Sequence, residues 1–183
     1  MTSVFIGGSR KLIKLASPVK ERIDNIVNNG FTVLVGDADG ADSCVQEYLA
    51  DRHYRNVIVF CMEGVCRNNI GNWDVRSIKS QTRGRGFDFY AVKDMQMAEE
   101  ASYGFMIWDA RSNGTLNNMI NLLKREKKVL VYFSPEDSFY TLANFRSLSD
   151  LLAKCDHKTL EKFDRKLAIK QLLKDEQSEL LFA

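Results

Sequence analysis

Gly104–Asn118 reads Gly-Phe-Met-Ile-Trp-Asp-Ala-Arg-Ser-Asn-Gly-Thr-Leu-Asn-Asn, and the fold turns on this stretch. Phe105–Trp108 is a short apolar run, long enough for a buried strand and too short for a helix. It stops at Asp109, crosses a polar turn, and restarts at Gly114-Thr115 with helical spacing. Strand, small-residue turn and helix together point bare backbone N–H groups and a positive helix end at an anion, most often a phosphate. A tight turn relieved by Gly114 would use the same residues, so recurrence has to decide. The device recurs twice upstream.

Ser3–Ile6 is a first strand running into Gly7-Gly8-Ser9-Arg10. Phe31–Val35 is a second, running into Gly36-Asp37-Ala38-Asp39-Gly40-Ala41-Asp42, and Val57–Cys61 is a third, an unbroken apolar run of the kind buried on both faces. A helix opens at Pro18 with Ser17 as its cap, and its apolar residues Val19, Ile23, Ile26 and Val27 recur at helical spacing up to Asn29-Gly30. A second helix follows Gly40-Ala41, with Cys44, Val45, Tyr48 and Leu49 inward. A third opens at Lys93-Asp94, where Asp94 suits the N-cap. The helix after Thr115 carries Leu116, Met119 and Ile120, and Val129–Phe133 is the fifth strand.

Strands alternating with helices predict an α/β domain: an open, mostly parallel five-stranded sheet with helices on both faces. Right-handed crossovers give the order 3-2-1-4-5. Strands one and four then meet where the winding reverses, the crevice at which such sheets bind ligands.

The bulk numbers agree. At 183 residues, 45% hydrophobic and 27% charged, with a formal charge of +2, the chain fits one soluble core with an appendage. Residues 1–133 form the expected domain, with a polar insert at 62–90. Residues 134–183 form an expected helical extension, whose stripes (Leu148, Leu151, Leu152, Leu160, Phe163) pack on the domain or on a second copy. No apolar run approaches membrane length, and Met1–Phe5 enters a strand without a charged-then-apolar leader, so a cytoplasmic protein with no membrane partner is expected. Cys44, Cys61, Cys66 and Cys155 lack metal-site spacing and read as idle thiols in a reducing compartment. No metal and no cofactor are expected.

The candidate ligand residues follow from the turns. Gly7, Gly8 and Ser9 would let backbone and hydroxyl approach a phosphate or ribose, and Arg10 would neutralise charge. Gly36, Gly40 and Ala41 are close-approach positions, while Asp42 reads as a first-turn acid. Asp37 and Asp39 would accept ribose hydroxyls or hold a cation through water. Arg111, Ser112, Asn113, Gly114 and Thr115 supply N–H groups, a hydroxyl and the dipole end, and Asp94 is an alternative sugar contact. Trp73 and Phe87 are either base-stacking or core. Arg76, Lys79, Arg83 and Arg85 are cations of a solvated loop, or a nucleic-acid contact that salt would weaken.

Phe5-Ile6-Gly7-Gly8-Ser9-Arg10, the Gly36–Asp42 turn, Lys93-Asp94 with Met97, and Ser112-Asn113-Gly114-Thr115 together resemble the SLOG superfamily. Their order is nearest its YspA- and YpsA-related branch, over roughly residues 3–133. The resemblance implies a Rossmann-like fold and a nucleotide-type ligand. Relatives include phosphoribohydrolases, deoxyribosyltransferases and the DNA-processing protein A group, and the related enzymes assemble as dimers or larger. In the hydrolases the late motif ends in a glutamate acting at the anomeric carbon; here that position is Asn118, placed with the ligand residues. A neutral amide is neither nucleophile nor base for an oxocarbenium-like centre. The expectation is therefore a sensor or carrier of a nucleotide or nucleotide-derived molecule, homo-oligomeric, with no catalytic residue assigned. An N-glycosidase acting on nucleoside 5'-monophosphates, or a deoxyribosyltransferase-like enzyme, using Asp39, Asp94 or Glu99 is the alternative. Nucleic-acid binding stands third, and no nucleic-acid partner is expected.

Overall fold

The structure, a computed structural model, describes residues 1–79 and 86–182, with side chains through residue 175. In chain order the elements are β1 (Ser3–Gly8), α1 (Ser17–Asn28), β2 (Thr32–Gly36), α2 (Ala41–Asp51), β3 (Val57–Met62), β4 (Asp74–Ile78), α3 (Phe87–Glu100), β5 (Tyr103–Trp108), α4 (Asn113–Leu123), β6 (Val129–Phe133), β7 (Ser138–Leu142), α5 (Phe145–Leu152), α6 (His157–Leu167) and α7 (Ile169–Phe182). One sheet runs β4-β3-β2-β1-β5-β6-β7, parallel throughout except for the β6–β7 pair.

The five apolar strands keep the expected order, and each edge gains a strand that the sequence hid. In β4, Asp-Val-Arg-Ser-Ile is almost wholly exposed, and a charged edge strand carries no apolar run to betray it. β7 was expected to be helix. It folds back on β6 through the 3-10 turn Ser134–Glu136 and Asp137, which adopts a left-handed backbone at φ 48°.

Side chains alternate across the strands and build a core on each face. Val4, Ile6, Val33 and Val35 meet Val19 and Ile23 of α1 and Val45 and Leu49 of α2. Phe5, Leu34, Met106 and Trp108 meet Met97 of α3, Leu116 and Met119 of α4, and Leu148, Leu151, Leu152 and Phe163 of α5 and α6. The C-terminal stripes thus pack on the domain. Burying a side chain such as Phe163 stabilises by about 1.5–3 kcal/mol over leaving it in water.

Three local expectations are corrected. The N-cap of α1 is Ala16, with Ser17 and Pro18 inside the first turn. α3 begins at Phe87 with Phe89 already buried, so Lys93 and Asp94 stand mid-helix and Asp94 caps nothing. Cys61 and Cys66 are not idle: Glu63 and Gly64, both with positive φ, reverse the chain, bring the Cα atoms to 5.0 Å, and the two sulfurs form a disulfide. That bond removes the thiol argument for a reducing compartment. Cys44 and Cys155 are free and half-buried, and burial pushes the Cys155 thiol up to about 11. No described helix is long and apolar enough to cross a membrane.

Candidate functional site

Because β1 and β5 are neighbours, the loops at their carboxyl ends lie side by side, joined by the Ser9 N–H donating to the Ile107 carbonyl at 3.1 Å. The organiser of this junction is Asp109, which the sequence reading passed over. One of its oxygens accepts the Ser9 hydroxyl at 2.7 Å; the other accepts the N–H groups of Arg111 and Ser112 at 3.0 and 2.9 Å. Ser112 then caps α4 by accepting the Thr115 N–H at 3.2 Å and the Thr115 hydroxyl at 2.9 Å. Much of the expected anion nest is therefore filled by the protein itself. In the first turn of α4 the N–H groups of Asn113 and Gly114 lack a protein acceptor among the described residues.

These loops form one end of a cavity of about 700 Å³, walled by α3, α4 and α6. Ten of the sequence candidates line it: Gly8, Ser9, Arg10, Asp94, Arg111, Ser112, Asn113, Gly114, Thr115 and Asn118. Five do not. A side chain at Gly7 would meet the Phe5 ring, and one at Gly36 would fall on the Asp42 carboxylate and the Lys93 ammonium, so these glycines make room for protein. Gly40 presses on the Arg10 backbone, and the Ala41 N–H donates to the Ser9 carbonyl at 3.0 Å. The Gly36–Asp42 turn is a brace behind the first loop; only Ala38 and Asp42 reach the cavity. Asp39 is exposed and accepts from Asn68.

The remaining expectations divide in the same way. Asp37 is buried on Arg67, 2.6 Å away, instead of holding a ribose or cation. Burial works to raise its pKa, but the hydrogen bonds from the Arg67 side chain and backbone, with the charges of Lys93 and Arg67, hold it below the usual carboxylate range. Trp73 is core, its indole N–H donating to the Tyr54 carbonyl. Phe87 lines the cavity beneath the Lys166 ammonium. Arg76 pairs with Glu100 on the far edge of the sheet, Lys79 and Glu99 are exposed away from the cavity, and Arg83 and Arg85 lie outside the described residues.

The cavity lining carries seven basic side chains against three carboxylates, a balance that favours an anion. Lys93 sits buried at its floor, 2.6 Å from Asp94. Burial would lower its pKa, yet the charges of Asp94 and Asp42 outweigh that and raise it. Asp42 is pushed up to about 6 by burial, against the pull of Lys93. Asn118 is 7% exposed, and its carboxamide oxygen has no hydrogen-bond partner among the described residues. A buried acceptor left without a donor costs about 1–3 kcal/mol, so a donor from a ligand is the natural complement.

Among the cavity residues with no place in the sequence reading are Tyr90, with the Arg10 guanidinium over its ring at 5.3 Å, and Lys158, Lys162 and Arg165 of α6. The spacing of the last three, four and then three residues apart, was readable as one helix face. That this face turns onto a site more than forty positions upstream was not.

No protein-family model matches the chain, and no curated protein matches it. Among solved structures, DNA processing protein A from Helicobacter pylori, described for its single-stranded DNA binding mode, is similar with a TM-score of 0.57 and 15% identity, over 96% of this chain and 81% of that one. TM1055, a Northeast Structural Genomics Consortium target, gives a TM-score of 0.49 and 18% identity, over 70% and 72%. The fold is Rossmann-like, as the alternation of strands and helices implied.

Proposed function

We propose that the cavity binds the phosphate-bearing part of a nucleotide or nucleotide-derived small molecule, and that the protein acts as a sensor or carrier of it. The observation that carries this is the excess of cations around the cavity, seven basic side chains against three carboxylates, beside the open first turn of α4. The Asn118 carboxamide oxygen, an acceptor, suits a sugar hydroxyl or base N–H of the same ligand rather than its phosphate. Arg10 and Arg111, neither with a carboxylate partner among the described residues, stand ready to neutralise the phosphate. Membership of the YspA-related branch, a cytoplasmic place of action and homo-oligomerisation belong to the same proposal.

Binding without turnover is favoured by the state of the cavity carboxylates. Asp109 is tied to the Ser9 hydroxyl and two N–H groups, and Asp94 to Lys93. Asn118 offers no carboxylate where the resembled hydrolases have one. The reading is tested with Gly114→Glu. Among the described residues a Cβ there meets only the Ser112 hydroxyl, at 3.9 Å, so the fold should survive while a carboxylate enters the phosphate site. Calorimetric titration with a ribonucleotide panel should show binding weakened by about tenfold or more. Equal affinities for the variant and the parent protein would refute the placement.

A second reading is single-stranded DNA. It is favoured by the fold likeness to DNA processing protein A together with the excess of cations around the cavity. The expectation of no nucleic-acid partner is therefore not retained. Affinity for single-stranded DNA that falls steeply with salt would support this reading, whereas no measurable binding at low salt would remove it.

A further inference from the structure

Resting on the nucleotide reading above, we propose that the ligand carries more than one phosphoryl group, and that α6 holds the outer one. Two groups of cations line the cavity. One is Arg10 and Arg111 beside the first turn of α4. The other is the row Lys158, Lys162 and Arg165 on α6, which meets the first group where Lys162 reaches the Arg111 loop.

This row is placed, not merely exposed. Phe163 is fully buried with its ring 5.8 Å from that of Trp108, and Trp108 in turn donates its indole N–H to the Ser112 carbonyl at 3.2 Å. Lys162 donates to the Arg111 carbonyl at 2.9 Å, pinning the helix to the loop that opens α4. The basic face therefore has a fixed relation to the inner end of the site.

The acids of α6 lie away from the row. Asp156 caps the helix through Thr159, Asp164 pairs with Lys170, and Glu161 lies 3.6 Å from the His157 imidazole, a pair that is ionic only when the imidazole is protonated. None is spent on the row: Lys158, Lys162 and Arg165 have no carboxylate partner among the described residues. Helices ordinarily pair such cations with acids three or four positions away. Here the helix segregates its charges and turns the unpaired sign toward a cavity that is already basic. A single phosphate engages one of these groups of cations; a di- or triphosphate chain engages both.

The test is isothermal titration of the full chain with the mono-, di- and triphosphates of the four common ribonucleosides, repeated on the Lys158→Ala/Arg165→Ala double variant. Both residues are exposed, so circular dichroism and melting should report an intact fold. For the base that binds, the diphosphate should bind about tenfold or more tightly than the monophosphate, and in the double variant that ratio should fall to about one or two. Equal affinities in the parent protein, or a ratio that the double variant leaves intact, would overturn the role of α6 while the nucleotide reading stands. No binding by any nucleotide would overturn both. Binding of a short single-stranded DNA alone would make the row a contact for a polynucleotide backbone and overturn the proposal in that direction.

Discussion

Replacing Gly40 by alanine should lower the melting temperature by about 10 °C, although Gly40 does not line the cavity. Two costs add. The residue has φ 82° and ψ −122°, a region that residues with a Cβ avoid, at about 1–3 kcal/mol. A Cβ built there would also stand 2.4 Å from the carbonyl carbon and oxygen of Arg10, backbone atoms that cannot rotate aside. Overpacking of that kind costs about another 1–3 kcal/mol. Gly30 is the control. It has φ 67° but nothing within 4 Å of the added atom, so Gly30→Ala carries the conformational cost alone. Thermal melts of the two variants should differ by roughly half of the larger shift. Matching melts would mean that the turn is not braced against the Arg10 loop.

Gly40 also shows where reading the sequence succeeded and where it stopped. Glycine after a strand signals close approach by something, and the sequence does not say whether that is a ligand or another stretch of backbone. Around Gly8 and Ser9 the approaching partners include the Ile107 carbonyl and the cavity; around Gly36 and Gly40 they are protein alone. The central five strands were legible because burial on both faces writes itself as unbroken apolar runs. β4 and β7 lie at edges, where half of the backbone's partners are missing and side chains answer to water. Asp109 was invisible for another reason. An aspartate ending a strand is common, and its three hydrogen bonds exist only because the β1 and β5 loops are adjacent in space. The row on α6 was legible as a helix face, but its target depends on Phe163 docking against Trp108, a contact across 55 positions.

Lys93 is where the buried charges of the site should weigh most heavily on the fold. The residue is 3% exposed, and its ammonium lies between Asp94, at 2.6 Å, and Asp42. Lys93→Met keeps most of the side-chain volume and removes the charge. Breaking a buried ion pair on one side costs about 3–5 kcal/mol, because a carboxylate is left in a poor dielectric without its partner. At neutral pH this corresponds to a fall of about 10 °C in melting temperature. The pH dependence identifies the cause. Asp42 has a folded pKa of about 6 against an ordinary value of 3.8, so its contribution to stability is full below the ordinary value and is lost as pH rises through about 6. Lys93 pulls that pKa down, and its removal lets burial push it higher. In the variant, Asp42 should then stay protonated, and tolerated, to a higher pH. The deficit relative to the parent protein should therefore shrink between about pH 8 and about pH 5, as the neutral carboxyl becomes the stable form. Melts across that range read this directly. A deficit that does not change with pH would mean that Lys93 is held for its packing, and that Asp42 does not feel its charge.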